Sequence, residues 1–232
     1  MSMSLIRIVA SDVKYIGGRM KLKYASPPCR AVLMISKALA LPLNVEEINL
    51  QTREHFTPEY LQLNPQHTVP TLVDDGFVIT NSHAISIYLT ERYRKNHYLY
   101  PSDAIKRALV NQRLFFDEGT MYQILYLTMK YNIAKGETIP DMSKKRTKDA
   151  YGFLEAFLEG QHWVAGSQQI TLADLHLVTT VTTLNVIFPF NANKYPNIKK
   201  WIDRCQALPY YDENLRGLRA YIQSVRPLLE KL

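Results

Sequence analysis

Cysteine is scarce in this chain, and long apolar runs are absent. Cys29 and Cys205 are the only two thiols in 232 residues and stand far apart. They offer neither a metal-ligand spacing nor a disulfide framework, which points to a reducing, cytoplasmic setting and to no metal. No stretch approaches the roughly 20 apolar residues that cross a bilayer, so no membrane partner is expected. The first residues, MSMSLIRIVASDVKYIGGRM, carry Asp12 inside their apolar part and no small-residue cleavage site, and so read poorly as a secretory leader. Charge of one sign does not cluster either. The net charge is +7, but the densest basic run, SKKRTK at 143–148, is short. It reads as a solvated helix start, and no nucleic-acid partner is expected. Internal repeats and low-complexity tracts are also missing.

What remains is ordinary globular composition, 47% hydrophobic and 21% charged, long enough for one large domain or two smaller ones. Gly17 and Gly18 set off residues 1–18, an extra strand or a loose extension, from a short strand at 20–24. A helix follows from Pro27 to about Leu41, with Val32, Leu33, Ile35, Leu39 and Leu41 spaced near 3.6. Residues 43–50 alternate as a strand, and 57–64 read as a short helix. Residues 69–80 read as two strands around the turn Asp74-Asp75-Gly76. A helix over 81–95 starts at a cap on Asn81 or Ser82. Beyond a polar link at 96–104 everything reads helical, at about 103–135, 143–160, 171–187, 196–207 and 214–229. The expected plan is an α/β unit over 19–96 and an all-helical unit over 103–232.

Three short stretches are sharper. In YASPPCRA (24–31), Ser26 sits at the N-cap of the first helix and Pro27 at its first position. Taken alone, Ser26 reads as a plain cap. In LNPQHTVPTL (63–72), Val69-Pro70 precedes an extended segment, a place suited to a cis bond. In QITLADLH (169–176), Thr171 with Asp174 three residues on forms a capping box, flanked by Ile170 and Leu175 as a hydrophobic staple. That motif orders a buried helix start and implies no chemistry.

SPPCRAV, LNPQHTVPTL, NSHAISIYL and ITLADL together resemble the insect-type glutathione S-transferases, most closely the epsilon class, from about Met20 to about Leu218. The resemblance implies a thioredoxin-like N-terminal domain, an all-helical C-terminal domain and a homodimer. It also implies glutathione as co-substrate and a cis Val69-Pro70 bond. Ser26 would then be catalytic. Pro27 and Pro28 remove two of the N–H groups that a capping oxygen normally bonds, so its hydroxyl is free to donate to a thiolate. The implied glutathione contacts are His55, Gln66, His67, Val69, Pro70, Asn81, Ser82 and His83. The implied partners are hydrophobic electrophilic small molecules, whose site would be lined by Tyr122, Leu125, Tyr126, Met129, Ile133, Leu215 and Leu218. The plain alternative for that helical stripe is core.

The chain departs from the family at several points. Asn81 stands where an acidic residue is usual. Only Ala25 separates Tyr24 from Ser26. Residues 1–18 have no counterpart. TTVTTLNVIFPF (179–190) resembles the Noppera-bo-like branch, tied to steroid-hormone biosynthesis, but Leu125 occupies that branch's acidic position. The leading expectation is conjugation of glutathione to hydrophobic electrophiles in detoxification. The alternative is a hydrophobic-ligand or steroid-binding protein or enzyme of hormone biosynthesis with low generic turnover. A third reading makes Cys29 a working thiol, since SPPC sits where related folds have C-x-x-C.

Overall fold

A computed structural model describes residues 18–94 and 98–231; expectations for residues 1–17 lie outside the described residues. A four-stranded sheet is built from β1 (Arg19–Leu22), β2 (Asn44–Glu47), β3 (Thr71–Asp74) and β4 (Phe77–Thr80). Its order is β2-β1-β3-β4. β1 and β2 run parallel, while β3 is antiparallel to both β1 and β4. The parallel pair requires a crossover, supplied by α1 (Pro27–Ala38). Two further helices belong to this half: α2 (Pro58–Leu63), capped by Thr57, and α3 (Ser82–Tyr93). The Val69-Pro70 bond is cis, as expected.

The second half is helical throughout. It holds α4 (Ala104–Phe116), α5 (Gln123–Tyr131), α6 (Asp141–Phe157), α7 (Leu172–Ile187), α8 (Pro196–Gln206) and α9 (Asp212–Leu229). The expected single helix over 103–135 is instead α4 and α5 joined by a π-wound segment, Asp117–Tyr122, with a 3₁₀ turn at Ile133–Lys135. The architecture is the expected thioredoxin-like domain followed by an all-helical one.

Two helices lie at the centre. α1 packs on α3, α7 and α9 and is covered nearly all round. α7 is buried on every face from Leu172 to Leu184. Its threonines are tolerated there because their hydroxyls return to the helix. Thr179 donates to His176 O at 2.8 Å, Thr182 to Val178 O at 2.7 Å and Thr183 to Thr179 O at 2.7 Å. The start of α7 is tied by Asp174. Its carboxylate accepts from Thr171 N and Oγ1 at 2.9 Å, Val164 N at 2.8 Å and Trp201 Nε1 at 3.0 Å. Four donors compensate a carboxylate that burial would otherwise penalise. Thr171 and Asp174 thus perform the structural role their spacing predicted.

Candidate active site

Ser26 is where the sequence put it, at the N-cap of α1 with φ −76° and ψ 124°, and its hydroxyl makes no cap bond. The backbone explains this. Pro27 and Pro28 have no N–H to offer, so the half-buried hydroxyl is not drawn into capping and lies beside the Cys29 side chain. The local turn is held instead by Ser26 N donating to Lys23 O at 2.9 Å. Cys29, one turn on, is fully buried. Burial pushes its thiol up to about 11, against the smaller opposing pulls of Lys23, Ser26 and Arg30. A thiol held so firmly protonated is a poor nucleophile, which removes the redox reading.

The expected glutathione residues fall into two groups. His55, in a 3₁₀ turn, and exposed His67, at φ 48°, come within 6.2 Å of one another around Phe56, with the Arg53 guanidinium 4.7 Å over the Phe56 ring. His55 is held below its usual range, first by burial and then by His67 and Arg53. This is a cluster of imidazole and guanidinium donors suited to a carboxylate. Gln66 is beside it, its backbone N–H donating to Asn64 Oδ1 at 3.0 Å. The same Asn64 and Tyr60 hold Thr68 O, just before Val69 and Pro70.

The second group opens α3. Asn81 takes the left-handed region at φ 68°, and its side-chain oxygen accepts from His83 N at 3.0 Å and Ala84 N at 3.2 Å. Its side chain is therefore a helix cap. Ser82 is buried and close by, its Oγ 3.5 Å from His83 Nδ1. His83 departs from expectation. Its ring turns into the protein, with Nε2 donating to Asp117 Oδ2 at 3.0 Å and Nδ1 to Glu118 Oε2 at 2.9 Å. It stacks on buried His176 at 4.0 Å. The two carboxylates outweigh burial and lift His83 to about 9, so it is a cation at neutral pH, while burial and that cation keep His176 neutral. Both ring nitrogens of His83 are thus committed to the π-wound segment, and its motif position alone did not reveal this.

The expected substrate stripe is partly core. Leu125 is 3% exposed and Ile133 0% exposed, so both serve as packing. Tyr122 and Tyr126 stack at 6.3 Å, with Tyr126 exposed. Burial pushes the Tyr122 phenol far up, and nearby Cys29 adds to this. Met129, Ile133 and Leu218 meet Ala25, the residue before Ser26, in a small apolar cluster with Tyr221 and Val225. Leu215 packs against the main core. The apolar cluster therefore reaches the catalytic candidate. Sequence reasoning missed Tyr221, whose hydroxyl donates to Met129 Sδ at 3.0 Å. The spacing Asn214, Leu218, Tyr221, Val225 on α9 carried that signal.

Residues 23–97 match the family model described as glutathione S-transferase, N-terminal domain, and residues 118–209 match the one for the C-terminal domain. The chain belongs to the glutathione S-transferase family. That family uses glutathione as its co-substrate. The chain is similar to glutathione S-transferase D7 of Drosophila melanogaster, 42% identical over 211 residues that cover 89% of this chain and 93% of the relative. Among solved structures it resembles a delta-class glutathione transferase of Nilaparvata lugens, 38% identical with a TM-score of 0.86, covering 91% of this chain and 99% of the other. It resembles an epsilon-class enzyme of the housefly, Musca domestica, to a similar degree: 37% identical, TM-score 0.84, covering 91% and 98%. Delta- and epsilon-class enzymes thus match about equally, so what is shown is a chain of the insect delta/epsilon type. No helix among the described residues is long and apolar enough to cross a membrane.

Proposed function

We propose that this transferase activates the glutathione thiol through Ser26 and joins it to hydrophobic electrophiles. The observation that carries the reading is the Ser26 hydroxyl at the N-terminus of α1, which makes no cap bond. A thiol of pKa near 8.5 is mostly protonated at pH 7. A hydroxyl donor and a helix N-terminus both favour its anion. The proton passes to solvent. The thiolate sulfur then forms a bond to the electrophilic carbon, and the leaving group departs with the bonding pair.

The remaining contacts follow the same reading. His55, His67 and Gln66 would take the glycyl carboxylate, and the Val69 backbone, beside Pro70, the cysteinyl unit. The start of α3 at Asn81 and Ser82 would take the γ-glutamyl end. The electrophile would lie against Tyr122, Tyr126, Met129 and Leu218, beside Ala25. Two tyrosines and a methionine suit varied apolar shapes. This supports detoxification over a dedicated steroid role, since Leu125, at the position where the steroid-associated branch is acidic, is a buried packing residue. Exposed Phe77, Ile105 and Phe115 support a homodimer.

Ser26→Ala tests the reading. Spectroscopic titration of the bound thiolate should show its pKa raised by about one unit, a loss of roughly 1.4 kcal/mol of anion stabilisation, because the N-terminus of α1 stays in place. An unchanged pKa would remove Ser26 from the mechanism. Turnover with chlorodinitrobenzene separates a transferase from a carrier that binds without reacting.

A further inference from the structure

A cavity of about 310 Å³ opens in the helical half, between the loop that follows α6 and one face of α8. That volume is at the low end of the range for small-molecule sites. Gln161 and His162 line it from the loop, and Asn197, Lys200 and Arg204 line it from α8. The loop turns at Gly160, which takes φ 67° and leaves that part of the wall without a side chain. Buried Leu158 supplies the one aliphatic side chain of the lining. None of these residues belongs to the Ser26 region, the His55 group or the start of α3.

The charge in this cavity is one-sided. No carboxylate lines it. Lys200 and Arg204 stand four residues apart on α8, so they share a face and repel each other. Neither forms an ion pair with a carboxylate among the described residues. The acids of the same elements are placed elsewhere. Asp203 pairs with Lys199 at 2.6 Å. Glu155 accepts from the backbone N–H groups of Asn197 and Ile198, each at 2.9 Å. Glu159 is exposed and outside the lining. Arg204 is held in place without being neutralised. Its Nη2 donates across to His162 O at 2.7 Å, while its Nε is buried with no hydrogen-bond partner.

We infer that this cavity binds a small phosphate monoester, with the phosphoryl group between Lys200 and Arg204 and the polar body toward Gln161, His162 and Asn197. A phosphate monoester carries about 1.5–2 negative charges at neutral pH, which matches two cations better than a carboxylate does. The guanidinium offers N–H donors in a fixed fork, and the ammonium adds a point charge. The side-chain amides of Gln161 and Asn197 suit hydroxyl groups, which both give and receive hydrogen bonds. A single aliphatic side chain gives a hydrocarbon body nothing to lie on. The loop wall runs on into Trp163 and Val164, and the Val164 N–H is received by Asp174 at the start of α7. A ligand that joins this loop to α8 therefore clips that corner of the helical half together, and its effect is on stability.

Calorimetry on the full chain at low salt tests this with glucose 6-phosphate, glucose, glucuronate and inorganic phosphate. Glucose 6-phosphate should bind one site per chain, with or without saturating glutathione, and should raise the Tm. Glucuronate and inorganic phosphate should bind more weakly, and glucose should show no binding. The double variant Lys200→Gln/Arg204→Gln should lose about fivefold in affinity for glucose 6-phosphate, the size expected for two exposed charge contacts, along with most of the rise in Tm. Lys200→Gln alone changes an exposed side chain and should lose about twofold, which keeps the test open if the double variant does not fold. Unchanged affinity in the folded variants would overturn the inference. So would displacement of glucose 6-phosphate by glutathione, or glucuronate or inorganic phosphate binding as tightly as the sugar phosphate.

Discussion

His83 Nε2 donates to Asp117 Oδ2 across 3.0 Å, which ties the helix opening the candidate glutathione site to the π-wound turn of the other half. The other ring nitrogen is held by the very next residue, Glu118. The clamp needs a protonated imidazole. His83 is lifted from 6.5 to about 9, so the stability it contributes is complete below pH 6.5 and is lost as pH rises through about 9. Urea midpoints at pH 6 and pH 10 should show that decline in the native chain. His83→Gln should be less stable at pH 6 and should lack most of the decline.

Gly217→Ala should destabilise the fold by about 2–3 kcal/mol through overpacking. An added Cβ would lie 2.1 Å from Tyr24 O and 2.4 Å from Arg30 Cδ, and the first of these is backbone that cannot swing away. Because Tyr24 precedes Ser26 by two residues, turnover should fall at temperatures where the variant is still folded. Calorimetric unfolding and initial rates at 20 °C check both parts.

Asn81→Ala should cost about 1–2 kcal/mol. It removes a cap that satisfies two N–H groups of α3 and forces a Cβ-bearing residue without that bond into φ 68°. Asn81→Gly should cost much less, because glycine accepts the positive φ. Urea denaturation of the pair decides between a cap and a purely ligand-facing side chain. Equal loss in both would place the value of Asn81 elsewhere.

Cys29→Ala should keep most transferase activity, with a stability loss of about 1 kcal/mol from the small cavity left by sulfur. The thiol is buried and held protonated at neutral pH, so it has no nucleophilic part to lose. Abolished turnover in a folded Cys29→Ala protein would return this thiol to the reaction.

The order of elements, the N-cap position of Ser26 and the tie between Thr171 and Asp174 were legible because each is written in neighbouring residues, while the cis proline bond was expected from the resemblance of its motif. The break at Asp117 was not. Apolar spacing runs on smoothly from Val110 through Leu114 to Ile124, and only the partner ring on α3 reveals why two consecutive carboxylates face one way. His83 sits in a motif that pointed to ligand, and nothing local told that its ring turns inward. Leu125 and Ile133 carried the same ambiguity: the spacing put them on one helical stripe with Tyr122, but Tyr122 ends the π-wound segment, Ile133 opens a 3₁₀ turn, and the sequence does not say how far neighbouring helices cover them. Arg30 was unreadable for the same reason. A lone arginine in an apolar helix suggests surface, yet it is fully buried, donating to Thr179 O and Thr183 Oγ1, with burial lowering it to about 10.

That arginine has a consequence for how the molecule comes apart. α1 belongs to the sheet by connectivity, but one of its flanks is buried by α7 and α9. Detaching the helical half would leave Val32, Leu33 and Met34 without part of their cover and strip Arg30 of the threonine oxygens that receive it. Neither half can therefore dissolve and leave its neighbour intact. Heating or urea should produce one cooperative transition, with the sheet, the helices and the surface beside Ser26 lost at the same point.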